Sequence, residues 1–169
     1  ADITGVYDVY QNGLDLTLKE SIQLPSHDPS TLVSAMAAVT QHLGFGVTVN
    51  LSYESPYQFA RRFASLDHLT HGRMGWNIVT GYLDSAERLI GQKGLKDHDL
   101  RYEQAEEFLE LCYKFWEGSW EDDAVQKDKL NRVFTDPSKV HAIQHEGKFF
   151  QSQGIFQVSP SIQRTPVLY

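Results

Sequence analysis

Residues 45 to 80 constrain this chain more than any other segment. From Phe45 to Ser52 the residues alternate without a break, with Phe45, Val47, Val49 and Leu51 on one side and Gly46, Thr48, Asn50 and Ser52 on the other. A period of two is that of a β-strand with one face for packed helices and one for something polar. Ser55-Pro56 then offers a cap and a first-turn proline. Tyr57, Phe59, Ala60, Phe63, Ala64, Leu66 and Leu69 follow at helical spacing until Gly72 closes the helix. Met74 to Thr80 reads as the next strand. Strand, helix and strand with short links predict a parallel pair joined by a right-handed crossover. The fold class expected is therefore α/β, and the unit reads as the helix and next strand of a parallel barrel. In such barrels the chemistry sits at the carboxyl ends of the strands.

The flanking segments agree with one domain over residues 1–169. Ala1 to Leu24 mixes Gly and Asp with a short apolar pattern and is expected to contain a loop. Asp28-Pro29 starts a helix that Leu32, Val33, Met36, Val39 and Leu43 carry to a stop at Gly44. Asp99 to Trp116 is amphipathic, with Leu100, Ala105, Phe108, Leu109, Cys112, Phe115 and Trp116 on its buried side. From residue 118 to about 164 the pattern turns irregular, with turns at Asp136-Pro137 and Glu146-Gly147 and a hairpin expected around Gly147. We read this stretch as an excursion from the barrel. Pro166 to Tyr169 looks like the beginning of another strand.

Composition limits the function classes. With 169 residues, 41% hydrophobic, there is material for one sizeable core. A net charge of -7 argues against a nucleic-acid partner, which would need clustered Lys and Arg. The acidic run from Glu117 to Asp123 reads as a solvated loop anchored by its tryptophans. The single cysteine, Cys112, lies in an apolar helical pattern, so core packing is expected rather than nucleophilic catalysis. No apolar run approaches the ~20 residues of a membrane span. The expected location is cytoplasmic, with no membrane partner.

Thr48 and Asn50 on the polar face of the first strand, and Asn77 near the end of the second, would come together at one carboxyl edge. There they could hydrogen-bond a planar heterocycle or a phosphate; the plainer use of such residues is to satisfy nearby backbone groups. His98 and Tyr102 are four apart at the start of the next helix, which places an imidazole and a phenol on one face. His141 and His145 share that spacing, but His-Ala-Ile-Gln-His lacks the glutamate of the zinc-protease helix, and no metal is expected. Neither a phosphate-cradling Gly-rich loop nor a Gly-x-Ser-x-Gly elbow is present.

Further motifs fall in a fixed order. They are Ala1-Asp2 with Gly5-Val-Tyr-Asp-Val-Tyr10, Gln23-Leu-Pro25, Ser34-Ala-Met-Ala-Ala-Val-Thr40, the whole of Pro56 to Thr80, and His98-Asp-Leu-Arg-Tyr102. Trp116-Glu-Gly-Ser-Trp-Glu-Asp-Asp123 and Asp136-Pro-Ser-Lys-Val-His141 complete the set. In these residues the chain resembles the bacterial luciferase-like flavin-dependent monooxygenases, in the branch of nitrilotriacetate, dibenzothiophene-sulfone, dimethyl-sulfide and long-chain-alkane monooxygenases.

The resemblance implies a TIM-type barrel of the luciferase-like type that binds FMN at its carboxyl face, interrupted by the irregular insertion after residue 117. It implies flavin contacts from Asp2, Thr48, Asn77, His98 and Tyr102, and a substrate pocket that includes Tyr7, Gln23 and Tyr82, the last standing where the alkane enzymes have a histidine. The family's chemistry uses reduced FMN from a separate NAD(P)H-dependent flavin reductase, together with O2, to oxygenate a small organic substrate such as an organosulfur compound, an alkane or an aminopolycarboxylate. No general base is assigned. A complete barrel has eight strands and roughly 250 residues, so the chain is expected to be an internal fragment, inactive alone, that forms a homo-oligomer or joins a complementary fragment. The competing readings are a non-enzymatic remnant that pairs with another chain, and a deazaflavin-dependent oxidoreductase.

Overall fold

The structure, a computed structural model, describes residues 14–22 and 24–169. Its elements follow the order α1 (Asp15–Lys19), α2 (Pro29–Ala38), β1 (Phe45–Asn50), α3 (Pro56–Thr70), β2 (Met74–Val79), α4 (Asp84–Leu89) and α5 (His98–Tyr113). One π-helical stretch, Lys114–Gly118, extends α5. Then come β3 (Val125–Asp128), β4 (Val133–Thr135), a 3-10 turn at Pro137–Lys139, β5 (Ile143–Glu146), β6 (Gln151–Gly154) and β7 (Val167–Leu168).

The expected strand–helix–strand unit is present. β1 and β2 pair in parallel from Phe45↔Met74 to Asn50↔Val79, and β7 adds to the far side of β2 at Gly75↔Val167. The order β1-β2-β7 makes β2 the central strand. Ser55 caps α3 by accepting from the Gln58 amide at 3.3 Å, with Pro56 in the first turn. The helix ends where His71 takes the left-handed conformation (φ 53°) before Gly72 (φ 77°).

The apolar face of the sheet is buried under α3 and α5. Phe59, Phe63, Trp76, Phe108 and Trp116 meet there as one aromatic cluster, with Phe59 and Trp76 rings 4.2 Å apart. Tyr and Trp need partners for their polar atoms when buried. Trp76 Nε1 donates to the Val49 carbonyl at 3.2 Å, and Trp116 Nε1 to the Ala60 carbonyl at 3.1 Å.

Three expectations need correction. α2 stops at Ala38 rather than Leu43, and of its apolar residues Val33 and Ala37 are the buried ones. Leu32, Met36, Val39 and Leu43 are exposed. The early stop has a local cause: the Arg73 guanidinium takes the carbonyls of Ala37, Thr40 and Leu43, so that stretch follows the guanidinium instead of a helical ladder. Leu69 is likewise exposed, in the last turn of α3. Finally, two short helices were not foreseen, α1 within the opening segment and α4 after β2.

The insertion forms two hairpins, β3–β4 and β5–β6, the second turning at Gly147 as expected. Polar side chains fasten it to the core. Asp67, buried at the end of α3, accepts from the Gln163 amide at 2.9 Å and its side chain at 2.6 Å. Arg164 donates to the carbonyls of Trp116 and Trp120, closing the end of the π-helical stretch, and pairs with Asp122. No helix among the described residues is long and apolar enough to cross a membrane.

Candidate functional site

The parallel register sets Thr48 beside Asn77 on the face of the sheet turned away from the helices. Asn77 Nδ2 donates to Thr48 Oγ1 at 3.0 Å, and both residues are half-buried. That bond uses one amide hydrogen, leaving the Asn77 carbonyl and the Thr48 hydroxyl hydrogen able to meet a ligand. One layer toward the strand starts, Gly46 stands beside Gly75. A Cβ at Gly46 would run into the Tyr169 hydroxyl, and one at Gly75 would come within 3.3 Å of the same ring. The two glycines therefore make room for the Tyr169 phenol, which lies across this face.

One layer toward the carboxyl edge lies Asn50, fully buried. Its Oδ1 accepts from the Ser52 amide at 2.9 Å and turns the chain out of β1. Its Nδ2 packs where a side chain on Gly81 would have to go and has no hydrogen-bond partner. Gly81 adopts φ 77°, so glycine suits this position both conformationally and sterically. Tyr82, the next residue, is exposed at the same edge.

His98 and Tyr102 open α5. Asp97 caps the helix by accepting from the Asp99 amide at 3.0 Å. The spacing of four brings the two rings together, centroids 4.7 Å apart with planes 36° from parallel. Both are exposed, so the pair presents aromatic surface and polar atoms outward. His98 Nδ1 is 2.9 Å from Asp99 Oδ1. Between them in sequence, Arg101 reaches the loop that follows β2, donating to the Gly81 carbonyl.

The structure thus brings Thr48 to Asn77 and His98 to Tyr102, with Asn50, Gly81 and Arg101 connecting the two pairs. Asp2, Tyr7 and Gln23 lie outside the described residues. Sequence reasoning missed Arg101, Gly81 and Tyr169. Isolated glycines inside a strand signal the close approach of something else, so Gly46 and Gly75 were the available clue to Tyr169. Arg101 carried no signal, because its partner is 20 residues away.

His141 and His145 serve the insertion separately. His141 Nε2 lies 2.8 Å from Glu121. Lys114 donates to His145 Nδ1 at 3.0 Å, so Nε2 carries the hydrogen aimed at Glu107, 3.1 Å away. Among the described residues no group of three or more His, Cys, Asp or Glu side chains could hold a metal. Cys112 is fully buried with its Sγ 3.8 Å from the Pro56 carbonyl, and burial pushes its thiol pKa well up. Two clefts of about 620 Å³ each open on the insertion; one is lined by Glu117, Glu121, Asp122, His141 and Arg164. The groups suited to a planar polar ligand are instead Thr48 with Asn77 and His98 with Tyr102.

Comparison with known proteins identifies the family. Residues 11–169 match the family described as luciferase-like monooxygenase. The whole chain is 54% identical to the long-chain alkane monooxygenase of Geobacillus thermodenitrificans, covering 38% of that protein. A crystal structure of long-chain alkane monooxygenase superposes over 100% of the chain, and 39% of its own, at a TM-score of 0.94. The dimethyl-sulfide monooxygenase of Hyphomicrobium sulfonivorans is 53% identical over the whole chain, which covers 35% of it. A riboflavin lyase structure determined with modified FMN and riboflavin is 47% identical, at a TM-score of 0.86 over 91% of this chain and 34% of its own. The chain spans less than two fifths of the length of these relatives. It belongs to the luciferase-like monooxygenase family, and its fold is part of a TIM-type barrel of that family.

Proposed function

We propose that this chain supplies the flavin-contacting part of an FMN-dependent monooxygenase. The enzyme takes reduced FMN from a separate reductase and uses O2 to oxygenate a small organic substrate. The observation that carries the proposal is the pair of pairs at the carboxyl edge: Thr48 bonded to Asn77, and His98 stacked near Tyr102. A flavin has a flat ring with alternating donors and acceptors and a phosphate tail. Asn77 and Thr48 suit the ring edge, while the exposed His98–Tyr102 pair suits the tail or a ring face. Reduced FMN, when bound, supplies the electrons that activate oxygen. What the protein's own residues supply is orientation, hydrogen bonds and exclusion of water.

The reading is supported by the family and by a relative of known structure determined with modified FMN. Relatives named for alkanes, sulfides and nitrilotriacetate show that the substrate varies on this framework. Asp2 is proposed as a further flavin contact, and Tyr7, Gln23 and Tyr82 as parts of the substrate pocket. The name of the nitrilotriacetate relative, component A, supports a two-component arrangement.

The test is an anaerobic titration of the full-length polypeptide carrying this chain with photoreduced FMN. Oxygen uptake would then be measured with alkanes, dimethyl sulfide, aromatic sulfones and aminopolycarboxylates in turn. Saturable binding with substrate-dependent oxygen consumption is expected. A protein that binds no FMN, or prefers a deazaflavin, overturns the reading.

A further inference from the structure

The four proposed flavin contacts within the described residues stand on two separate elements, the β1–β2 strand pair and the first turn of α5. Residues 80–97, loop and short helix, intervene between β2 and α5, which by itself is a poor way to hold a site to the fraction of an ångström that binding needs. The connection is tied at several points. Asp84 accepts from the Leu95 amide at 2.9 Å, and a side chain on Gly94 would run into the same carboxylate. Lys96 donates to Gln104 at 2.8 Å. The tie that reaches the strands is Arg101: its Nη1 donates to the Gly81 carbonyl, directly after β2.

Gly81 is itself immobilised against β1. Its backbone takes φ 77°, and the buried Asn50 amide fills the space beside its Cα. A continuous path therefore runs from Thr48 and Asn50 on β1, through Gly81, to Arg101 and so to His98, three residues before it, and Tyr102, the next residue. Beneath the helix start lies Glu87 on α4, buried with neither carboxylate oxygen hydrogen-bonded; Lys96 and Arg101 are the cations that act on it. Arg101 Nε is also buried and unpartnered. The guanidinium is thus held in place by a carbonyl on one side and a buried acid in its surroundings.

Resting on the flavin reading above, we propose that Arg101 is a positioning residue of the flavin site. By fixing the Gly81 carbonyl it sets where His98 and Tyr102 stand relative to Thr48 and Asn77. It touches neither the flavin nor the substrate. Losing the tie loosens the helix start and weakens flavin binding, whereas the chemistry of an enzyme already saturated with flavin proceeds from the same groups.

The experiment uses the full-length polypeptide with Arg101→Gln and Arg101→Lys. Flavin fluorescence gives the FMN dissociation constant, and turnover is measured at saturating reduced FMN. Removing one charge-assisted hydrogen bond is expected to weaken FMN binding about tenfold in Arg101→Gln. Turnover at saturation should change less than about twofold, and Arg101→Lys, which keeps a donor without the fork, should fall between. A stability role alone would lower the folded fraction without moving the affinity of what remains folded.

Arg101→Gln that folds and binds FMN like the wild type overturns the positioning role while leaving the flavin reading standing. A wild-type protein that takes up no FMN removes both. Where Arg101→Gln fails to fold, amide exchange over residues 98–103 in Arg101→Lys decides. Faster exchange together with weaker FMN binding supports the proposal; faster exchange with unchanged binding, or no change in either, overturns it.

Discussion

Asn77, proposed as a flavin contact, combines a structural bond with an available acceptor. Its amide hydrogen is committed to Thr48, which fixes the orientation of the side chain, and the same bond leaves the carbonyl oxygen to face a ligand. Asn77→Ala should therefore weaken FMN binding about tenfold, the cost of one good hydrogen bond together with the loss of Thr48's orientation. Thr48→Ser, which keeps the hydroxyl, should bind within a few-fold of wild type. Fluorescence titration of both variants checks this, and equal losses in the two would show that the methyl packing of Thr48 matters rather than its oxygen. Cys112 gives the opposite case. Full burial and a raised thiol pKa predict that alkylating reagents reach it only in the unfolded protein, as peptide mapping after labelling with and without denaturant would show. At this scale the sequence was informative where spacing within one element decides the outcome: Thr48 and Asn77 by alternation, His98 and Tyr102 by the helical repeat. It was silent for Asp67, Arg101 and Arg164, whose partners lie on other elements.

Elements were legible as far as their burial is decided locally. β1, α3 and β2 follow their sequence periods because the sheet and α3 cover each other. α2 does not, because its length is set by the carbonyls that Arg73 gathers, and its alternative apolar stripe of Leu32, Met36 and Val39 was indistinguishable from a core face by period alone. The hairpin around Gly147 was visible as a turn, but the group that holds it was not. Glu107 on α5 accepts from the Phe149 and Phe150 amides at 3.0 and 2.7 Å and from His145. A side chain on Gly147 would run into that carboxylate. Partial burial alone would raise the Glu107 pKa, but the Phe149 and Phe150 amides and His145 outweigh it, and the net shift is downward. A carboxylate with a lowered folded-state pKa stabilises the fold above its ordinary value of 4.5 and loses that contribution as pH falls through the folded value. Glu107→Gln should cost about 2 kcal/mol at neutral pH, by losing charge-assisted acceptors for backbone donors. The difference from wild type should shrink below about pH 4 as the wild-type carboxylate also protonates. Denaturation of the full-length protein at pH 7 and pH 3.5 measures both; a difference that is the same at the two pH values would show that the hydrogen-bond count, not the charge, is what matters.

The same physics at the scale of the whole molecule concerns what three strands can sustain. β1 and β7 are both edges of the described sheet, and each presents unpaired backbone groups. The face that carries Thr48 and Asn77 is only half-buried, although in a barrel it would point into the packed interior. On the outside, Leu32, Met36, Val39 and Leu43 of the α2 region are exposed, Val39 at 83%, and Leu69 on α3 at 57%. Burying one fully exposed side chain of this kind is worth about 1.5–3 kcal/mol, so these five, each partly exposed, would together gain several kcal/mol, against a total stability of about 5–15 kcal/mol for an ordinary domain. A segment that gives up so much apolar surface is driven to cover it, by further strands and helices in a longer polypeptide or by another molecule in their absence. We therefore expect the isolated 169-residue chain to self-associate, with an unfolding transition that broadens and shifts with concentration. Sedimentation equilibrium and thermal melts over a hundredfold range of concentration test this. A monomer with one sharp, concentration-independent transition would mean that the aromatic cluster of Phe59, Trp76 and Phe108 suffices alone. In that case the exposed stripe on α2 would need another explanation than a missing neighbour.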